Sequence, residues 1–436
     1  MKNTVYTGCN LIDVENGCTV VENVDIYVAD GKIEKIAPHG ETEEGYRKED
    51  MTGLYAAPGL VNAHVHLFGT GRPSKALSGG SAQRLLLKLI STRIGKAVLV
   101  RLVESSAYNE LLSGVTALRA VGDLKYSDVE LKKRIEKGKS KARGLKILVS
   151  GPAITAPGGH GDGTFADSSA TTEGLKALVD ERVAHGADLI KVCVTGGVTD
   201  SKKRGEPGEL RMSFDEVEAV CARAHERGLK VAAHAESAPG AEFSARAGVD
   251  TVEHGGKLSE EAFGQLKARG GAVVATYSPA IPCAKLSAEI TRLSDMAAYN
   301  SEVAAKNMTA ACLQAFAGGV EVGMGTDASC PFSTQYGMWR EIEWFALMTG
   351  AGAARAFETA TAGNARVLGI YDETGSLTAG KRADIIFTFG NPAANTETLR
   401  EIKAVVAGGR LVKNPQPKRM PKLDAVLDKL TEEMKK

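Results

Sequence analysis

Hydrophobic and polar positions divide the 436 residues into segments of two kinds. Residues 1 to about 57 read as short alternating runs with turns, and two such runs flank Asp30-Gly31, which predicts a hairpin. The pattern returns late in the chain, where 383–389 is strand-like and Gly408-Gly409 predicts a second hairpin. Neither piece alone has enough alternating residues for a core. We therefore predict one small β-sandwich domain built from 1–57 and 366–420.

The middle of the chain alternates short β-branched runs with helix-like segments. One of these helices is predicted over 214–228, from the N-cap Ser213 to the stop signal Gly228. Eight strand-then-helix units predict an α/β fold with a (β/α)8 barrel over 58–365. A doubly wound open sheet is the alternative, although no GxGxxG motif follows the first run. The eight runs are 59–66, 115–121, 146–150, 189–194, 230–235, 250–253, 272–276 and 320–325.

The rest of the chain and its composition narrow the class of protein. Residues 421–436 begin with an amphipathic pattern, which predicts a terminal helix docked on the body or on another subunit. The 54 basic and 53 acidic residues leave a net charge of +1, so a nucleic-acid partner is not expected. Seven cysteines without a CxxC pair predict neither a disulfide framework nor a thiolate zinc site. No apolar run reaches the roughly 18 residues of a membrane span, and the first residues lack a signal core. We expect a cytoplasmic homo-oligomer that acts on a small molecule.

In a (β/α)8 barrel the active site lies at the carboxyl ends of the strands, so polar residues there are the first candidates. His64 and His66 end the first run and point the same way, because strand side chains alternate. His234 and His254 end two consecutive runs, and Asp327 follows the last one. Taken singly, each has an ordinary alternative: a polar strand end, a satisfied core histidine or a helix N-cap.

Lys191 lies inside the apolar run 188–194, where an unpaired ammonium is costly to bury. The cost is avoided by a lowered pKa, by pairing with a barrel carboxylate, or by carbamylation. Carbamylation makes a carboxylate that can bridge two cations. Together with the four histidines and the aspartate, Lys191 completes a set of ligand types suited to a divalent metal. The sequence therefore predicts a metal-dependent hydrolase.

Three further residues are candidates for contact with the substrate. His160, in a glycine-rich loop after the third run, is placed to hydrogen-bond the substrate or the oxyanion, unless it is an ordinary loop histidine. Tyr277, just past the seventh run, is a substrate donor or a packing aromatic. Glu236 lies two residues after His234 and so turns towards the same pocket. The basic loop 201–204 either adds positive charge near the fourth strand end or is simply solvated.

Several motifs carry a resemblance to a known family. The chain resembles the amidohydrolase superfamily, in the subtype whose carboxylated lysine bridges two metals. Within it, the chain is most similar to the prolidase-like, imidazolonepropionase-related branch, whose members often cleave dipeptides or N-acyl amino acids. The motifs are Pro58-Gly-Leu, Pro157-Gly-Gly-His-Gly161, Ile190-Lys-Val-Cys-Val-Thr-Gly-Gly197, His254-Gly-Gly and Gly375-Ser-Leu-Thr-Ala-Gly-Lys-Arg-Ala-Asp384.

The resemblance implies two divalent metal ions, for which zinc suits the ligands, with manganese or iron as alternatives. His64, His66 and Asp327 would bind one metal, and His234 and His254 the other, with N6-carboxylated Lys191 as the bridge. A hydroxide held by the metals would attack the carbonyl of an amide C–N bond, as in an Xaa-Pro dipeptidase. Asp327 would move the proton to the leaving nitrogen, and His160 would assist.

One residue departs from the family pattern. Many prolidase-like relatives have Tyr at the position of Glu236, and some use it to help hold a substrate carboxylate. A glutamate would repel a carboxylate and favour a cation or an N–H donor. A similar His-Ala-Glu occurs in imidazolonepropionases, which open a cyclic amide, so cyclic amide hydrolysis is the nearest alternative. Deamination is disfavoured by Lys191, and an inactive structural homologue is disfavoured because all six ligand positions are filled.

Overall fold

The structure is a computed structural model that describes residues 3–40, 43–73 and 81–436. Within these residues the strands are, in chain order, β1 (Thr4–Asp13), β2 (Thr19–Ala29), β3 (Lys32–Pro38), β4 (Arg47–Asp50), β5 (Tyr55–Pro58), β6 (Leu60–Val65), β7 (Val115–Ala120), β8 (Lys146–Val149), β9 (Ala153–Thr155), β10 (Ala166–Ser168), β11 (Leu189–Cys193), β12 (Lys230–Ala235), β13 (Thr251–His254), β14 (Ala272–Ala275), β15 (Glu321–Met324), β16 (Ile385–Thr388), β17 (Ile402–Ala407) and β18 (Arg410–Lys413).

Helices follow the middle strands one after another. They are α1 (Ser81–Ser91), α2 (Arg93–Leu112), α3 (Ser127–Glu136), α4 (Thr172–His185), α5 (Phe214–Glu226), α6 (Ala238–Ala247), α7 (Glu260–Ala268), α8 (Tyr277–Lys285), α9 (Ala288–Thr291), α10 (Asp295–Gly318), α11 (Met338–Thr349), α12 (Gly352–Glu358), α13 (Asn364–Leu368) and α14 (Pro421–Met434). Among the helices that the structure describes, none has the length and apolar character needed to cross a membrane.

Eight parallel strands form the barrel, in the order β6, β7, β8, β11, β12, β13, β14 and β15. Between β8 and β11, the Asp188 N–H donates to the Val149 carbonyl at 2.7 Å. Beyond β15, the Asp327 N–H donates to the His64 carbonyl at 2.9 Å, which closes the ring. The eight predicted runs are therefore the barrel strands, and the open-sheet alternative is wrong.

Barrel strands are buried on both faces, by packed side chains inside and by helices outside. β6, β7, β11, β13 and β14 are buried along their whole length, which explains their nearly continuous apolar sequence. The predicted helix over 214–228 is α5. It begins with a reciprocal capping box between Ser213 and Glu216, and Gly228 follows its end with a φ of 72°. Polar side chains within the strands consequently stand out, and they gather at the carboxyl ends.

A second sheet combines both ends of the chain, in the order β18-β17-β16-β5-β1-β2-β3, with β4 beside β1. The two predicted hairpins are confirmed as the antiparallel pairs β2–β3 and β17–β18. Side chains from early and late strands share one core, in which the rings of Tyr6 and Phe387 lie 5.2 Å apart. The barrel with a sheet domain from both termini is thus confirmed, while the boundaries at 57, 365 and 420 stay predictions.

The terminal helix α14 docks on the body of its own chain. The indole N–H of Trp344 in α11 donates to Thr431 at 2.9 Å, and Arg340 pairs with Asp428 at 2.7 Å. The phenol of Tyr336 donates to the carboxylate of Asp424. These polar contacts to buried partners fix α14 beside α11, so the first of the two docking sites considered for it is the one observed.

Candidate metal centre

The structure collects the predicted ligands of the strand ends into two groups of donor atoms. His64, His66 and Asp327 form the first group. His234 and His254 form the second, together with Glu236. Within each group the donor atoms lie within 4.8 Å of one another. Nitrogen and carboxylate donors this close, on buried strand ends, suit a borderline divalent cation such as zinc.

The first group is oriented by hydrogen bonds on the far side of each imidazole. Nδ1 of His64 lies 2.7 Å from the carboxylate of Glu253, and Nδ1 of His66 lies 2.5 Å from the Gly122 carbonyl. Both Nε2 atoms therefore face Asp327, whose Oδ1 is 3.6 Å from that of His64 and 3.3 Å from that of His66. Fixing one ring nitrogen by an acceptor and leaving the other for the metal is the usual arrangement of metal-binding histidines.

Electrostatics keep this group in the protonation states that metal binding requires. Burial alone would raise the pKa of Asp327, but the close contacts of its carboxylate with the imidazoles of His66, His64 and His254 outweigh burial and hold that pKa well below its usual range. Burial and the ammonium of Lys191 hold the pKa of His64 well below its usual value. An ionised carboxylate and a neutral imidazole are the metal-binding forms of these side chains.

His254 lies between the two groups. Its ring centroid is 5.0 Å from that of His64 and 4.7 Å from that of His234. Its Nδ1 is 2.7 Å from the hydroxyl of Thr276, which leaves Nε2 on the metal side. Burial lowers the pKa of His254 to about 4, so the imidazole is neutral at pH 7. The imidazole of His254 therefore contacts both donor groups. Two metal sites that share a bridging ligand must lie this close to each other.

Backbone conformation sets the direction of two of these ligands. His254 has a φ of 65° and Asp327 a φ of 47°, in the left-handed region that residues other than glycine seldom adopt. Regular strand alternation would send Glu253 and His254 to opposite faces, yet both side chains lie against His64. The left-handed turn at His254 accounts for this. Backbone strain of this kind is typical of functional sites.

Lys191 has an unpaired ammonium deep in the barrel. The residue is 3% exposed, and its Nζ has no hydrogen-bond partner among the described residues. Burial lowers the pKa of Lys191, and its charge in turn lowers the pKa values of His64, His234 and His254. The sequence left three ways to avoid the cost of a buried ammonium. One of them, a hydrogen-bonded pair with a barrel carboxylate, is not observed among the described residues. A free buried amine beside both donor groups is the atom that carbamylation would convert into a ligand.

Two buried charges beneath the first group were missed from the sequence. Arg119 in β7 donates through Nη2 to both carboxylate oxygens of Glu253, at 2.7 and 2.8 Å. Its Nε donates to the Ala63 carbonyl at 2.7 Å, and Thr251 donates to Glu253 at 2.5 Å. The signal was the same as for Lys191, a charge inside an apolar strand. The partners could not be paired from sequence, because β7 and β13 lie on different sides of the barrel.

His160 lies over the second group. Its ring stacks on His234 at 4.4 Å and 7°, and its Nδ1 is 2.5 Å from the carboxylate of Asp200. The approach depends on Gly197, where a Cβ would come within 2.8 Å of the imidazole. The loop histidine therefore lies at the second donor group, and Asp200 holds its Nδ1 and leaves Nε2 for another partner. Asp200, its partner, is a further residue that the sequence analysis did not single out.

Glu236 lies at the end of β12 beside His234, as strand alternation predicted. One carboxylate oxygen accepts the Val198 N–H at 2.6 Å. Burial raises the pKa of Glu236 to about 8. The carboxyl group is therefore held beside His234 and His254 by a backbone contact.

The basic loop 201–204 does not supply spare positive charge to the pocket. Lys203 pairs with Glu206 at 3.3 Å. Arg204 stacks over the ring of Tyr299 at 3.9 Å. Lys202 is exposed. The solvated alternative is the one observed, so compensation of Glu236 by this loop is not supported.

Tyr277 opens α8 but is completely buried. Its hydroxyl lies 3.0 Å from that of Thr309 in α10, and its ring packs against Phe345. The backbone N–H of Tyr277 donates to Glu341. These contacts correspond to the packing alternative. The role of Tyr277 as a substrate donor therefore stays a prediction, to which the observed contacts of the hydroxyl add no support.

Comparisons with known proteins agree with this architecture. A model of the Amidohydrolase family matches residues 55–412. The chain belongs to the amidohydrolase family. It is 34% identical to a Bifidobacterium longum protein provisionally designated a prolidase, with a TM-score of 0.85 over 98% of this chain and 99% of that one. A Xaa-Pro dipeptidase with bound methionine in its active site is 28% identical, with a TM-score of 0.77 over 94% and 100% of the two chains.

A curated relative, ochratoxinase of Aspergillus niger, is 26% identical over 82% of this chain and 75% of its own length. Imidazolonepropionase of Maricaulis maris is 23% identical over 85% of this chain and 88% of its own. The prolidase-like, imidazolonepropionase-related placement is therefore confirmed. The protein is a metal-dependent amidohydrolase, a hydrolase that acts on C–N bonds of small molecules.

Proposed function

We propose that this amidohydrolase cleaves the amide bond of a dipeptide or an N-acyl amino acid with two divalent metal ions. N6-carboxylated Lys191 would bridge them. The observation that carries the proposal is the buried Nζ of Lys191 beside two donor groups, for which the described residues offer no hydrogen-bond partner. An amine left as a charged, unsatisfied group costs free energy, whereas a carbamate makes it a ligand.

The donor set fits such a centre. His64, His66 and Asp327 would hold one ion, and His234 and His254 the other. Four imidazoles with carboxylate oxygens suit zinc, and manganese or iron accept the same ligands. When bound, the ions would polarise the scissile carbonyl and lower the pKa of water, which is the chemistry that amide hydrolysis needs.

The chain's own groups would supply the proton transfers and the orientation of the substrate. Asp327, which lies among the ligands at the strand end, would take the proton of the attacking water and pass it to the leaving nitrogen, as the family resemblance implies. His160, whose Nδ1 is held by Asp200, would in its imidazolium form donate from Nε2 to the substrate oxygen as negative charge develops there. Both groups lie at the strand ends that carry the metal ligands.

The substrate class rests on the relatives and on the pocket. The prolidase-like proteins above are similar along almost the whole chain, which supports a dipeptide with an amide bond next to a carboxylate. Glu236 argues against copying Xaa-Pro specificity unchanged, because it faces the same pocket with a carboxyl group. A cyclic amide, as in imidazolonepropionases, is the second candidate, and it is favoured by His234-Ala-Glu236, which resembles the motif of that family.

A substrate screen tests the proposal. Metal-loaded enzyme should hydrolyse members of a panel of Xaa-Pro dipeptides, dipeptides with a cationic residue, or N-acyl amino acids, and should leave cyclic amides intact. Glu236→Tyr should shift the ratio of kcat/KM towards substrates with a free carboxylate near the scissile bond. A shift of about tenfold or more corresponds to one interaction of roughly 1.4 kcal/mol.

Glu236→Gln is the matched control when both enzymes are assayed above pH 8, where Glu236 is ionised, since it keeps the shape and removes the charge. If repulsion is the cause, Glu236→Gln should move the same ratio part of the way. Unchanged preferences in both variants would remove Glu236 from substrate recognition. Hydrolysis of cyclic amides alone would replace the dipeptide proposal by the second candidate.

We further propose that the enzyme is a homo-oligomer associated through an apolar arm, defined as α1 with the first half of α2. Of the fourteen large apolar side chains that the described residues expose, six lie on this arm, and Ile94 is 79% exposed. Isolated soluble chains seldom expose so continuous an apolar surface. Packing against the same arm of a second copy would bury this surface. The six are Leu85, Leu86, Leu89, Ile94, Val98 and Leu102.

Light scattering tests the arm. Residues 81–103 include five basic and no acidic side chains, so copies repel each other and added salt should strengthen their association. Replacing both Ile94 and Val98 by Asp should reduce the mass to that of one chain, whereas Val21→Asp, an exposed valine of β2, should not. A wild-type monomer at high protein concentration, or an unchanged mass in the arm variant, would contradict the proposal.

A cytoplasmic location is proposed as well, supported by seven cysteines that are all unpaired.

A further inference from the structure

A buried ion pair lies directly under the first donor group. Arg119 and Glu253 face each other across the barrel interior, and each is almost fully inaccessible to solvent. Removing two charges from water is expensive, and an apolar pair of similar volume would usually fill such a space at less cost. The pair therefore calls for a reason other than packing, and its contacts point to His64.

Every hydrogen-bonding position of the Glu253 carboxylate is directed. One oxygen accepts from Arg119 and from Thr251, and the other accepts from Arg119 and lies 2.7 Å from Nδ1 of His64. An ionised carboxylate only accepts hydrogen bonds, so the proton of His64 must be on Nδ1. The lone pair of His64 is then on Nε2, which faces Asp327.

The two histidines of the first group are held differently. His66 donates to a neutral backbone carbonyl, that of Gly122, whereas His64 donates to a carboxylate. A charged acceptor makes the stronger hydrogen bond and increases the basicity of the opposite ring nitrogen. Arg119 also holds the Ala63 carbonyl, next to His64, so one guanidinium fixes both the backbone and the acceptor of this ligand.

We propose that Glu253 and Arg119 are positioning residues of the metal centre. Glu253 selects the tautomer of His64 that presents Nε2 to the first metal, and Arg119 holds Glu253 in place. The inference rests on the proposed two-metal function, because it assigns a role to one ligand of that centre. This role is specific to His64. The other described imidazoles of the two groups are held by backbone carbonyls or by a hydroxyl, not by a side-chain carboxylate.

The experiment measures zinc binding and the tautomer on the full chain. Glu253→Gln should weaken zinc at the first site by roughly 10- to 100-fold in a chelator competition, as loss of such a partner generally does. Glu341→Gln is the matched control: Glu341 is equally buried and hydrogen-bonded, but to Tyr277 and Ser278 and not to a candidate ligand. The control should keep wild-type zinc affinity.

Histidine ¹⁵N spectra give a readout that a merely structural role would not move. In the wild-type chain His64 should carry its proton on Nδ1 both before and after zinc is added, and in Glu253→Gln the metal-free chain should show a mixture of tautomers. Arg119→Lys keeps the positive charge but loses the simultaneous contacts of the guanidinium with Glu253 and the Ala63 carbonyl. Its mixture of His64 tautomers should be intermediate between those of the wild-type chain and Glu253→Gln. Arg119→Lys is the second variant if Glu253→Gln fails to fold.

The outcomes separate this inference from the proposed function. A wild-type His64 protonated on Nε2 would overturn the inference, and so would unchanged zinc affinity in folded Glu253→Gln. In either case the wild-type chain would still bind two metals and hydrolyse its substrate. A wild-type chain that bound no divalent metal would instead contradict the proposed function itself.

Discussion

Asp327→Asn is expected to lower turnover by about 10²- to 10⁴-fold, the usual contribution of a positioned acid–base group. Asparagine has nearly the same shape, but its amide cannot accept and return a proton at neutral pH. Oδ1 of Asp327 lies 3.3 Å from Nε2 of His66 and 3.6 Å from that of His64, so the same substitution also weakens a ligand. Metal content must therefore be measured beside kcat.

Two measurements distinguish the roles of Asp327. If the variant keeps both metals at saturating zinc, a parallel fall in kcat and kcat/KM identifies an interaction made only in the transition state. If instead one metal is lost, the ligand role dominates. Asp372→Asn, an exposed aspartate after α13, is the control and should behave as wild type. Near-normal turnover of Asp327→Asn with both metals bound would remove Asp327 from the mechanism.

Much of the barrel could be predicted because its sequence signals are local. Most barrel strands are buried on both faces, so they appear as short apolar runs, and helices follow them along the chain. Strand ends then place His64, His66, His234 and Asp327 at one mouth without any knowledge of the three-dimensional contacts. The Asp-Gly and Gly-Gly hairpins are equally local, since the turn residues alone specify them.

The contacts across the barrel could not be predicted in this way. Arg119 and Glu253 are more than a hundred residues apart and meet only because the sheet closes. Strand alternation alone would send the consecutive residues Glu253 and His254 to opposite faces, and only the left-handed φ of His254 brings both against His64. Whether Tyr277 faced the substrate or the core was decided by α10 and α11, whose packing against α8 has no local signal.

Lys191→Ala is expected to remove the second metal and to lower turnover by roughly 10²- to 10⁴-fold, since a catalytic metal supplies several kcal/mol of charge stabilisation. The fold should survive, because the substitution removes a buried amine that has no hydrogen-bond partner in the part of the chain that the structure describes. Metal analysis, kinetics and thermal unfolding check these three effects. Lys202→Ala, at an exposed lysine of the loop 201–204, is the control for loss of a lysine.

Chemical rescue tests the carbamate more directly. Lys191→Ala leaves a space in which a small carboxylate such as acetate can take the position of the bridging group, whereas Lys191→Met fills that space with apolar atoms. Acetate should therefore restore part of the metal content and activity in Lys191→Ala and none in Lys191→Met. In the wild-type chain, ¹³C-bicarbonate should give a carbamate resonance that depends on added zinc. Absence of the carbamate resonance in fully active enzyme would contradict the bridging role of Lys191. The two metals would then have to be held without Lys191, by His64, His66, His234, His254 and Asp327.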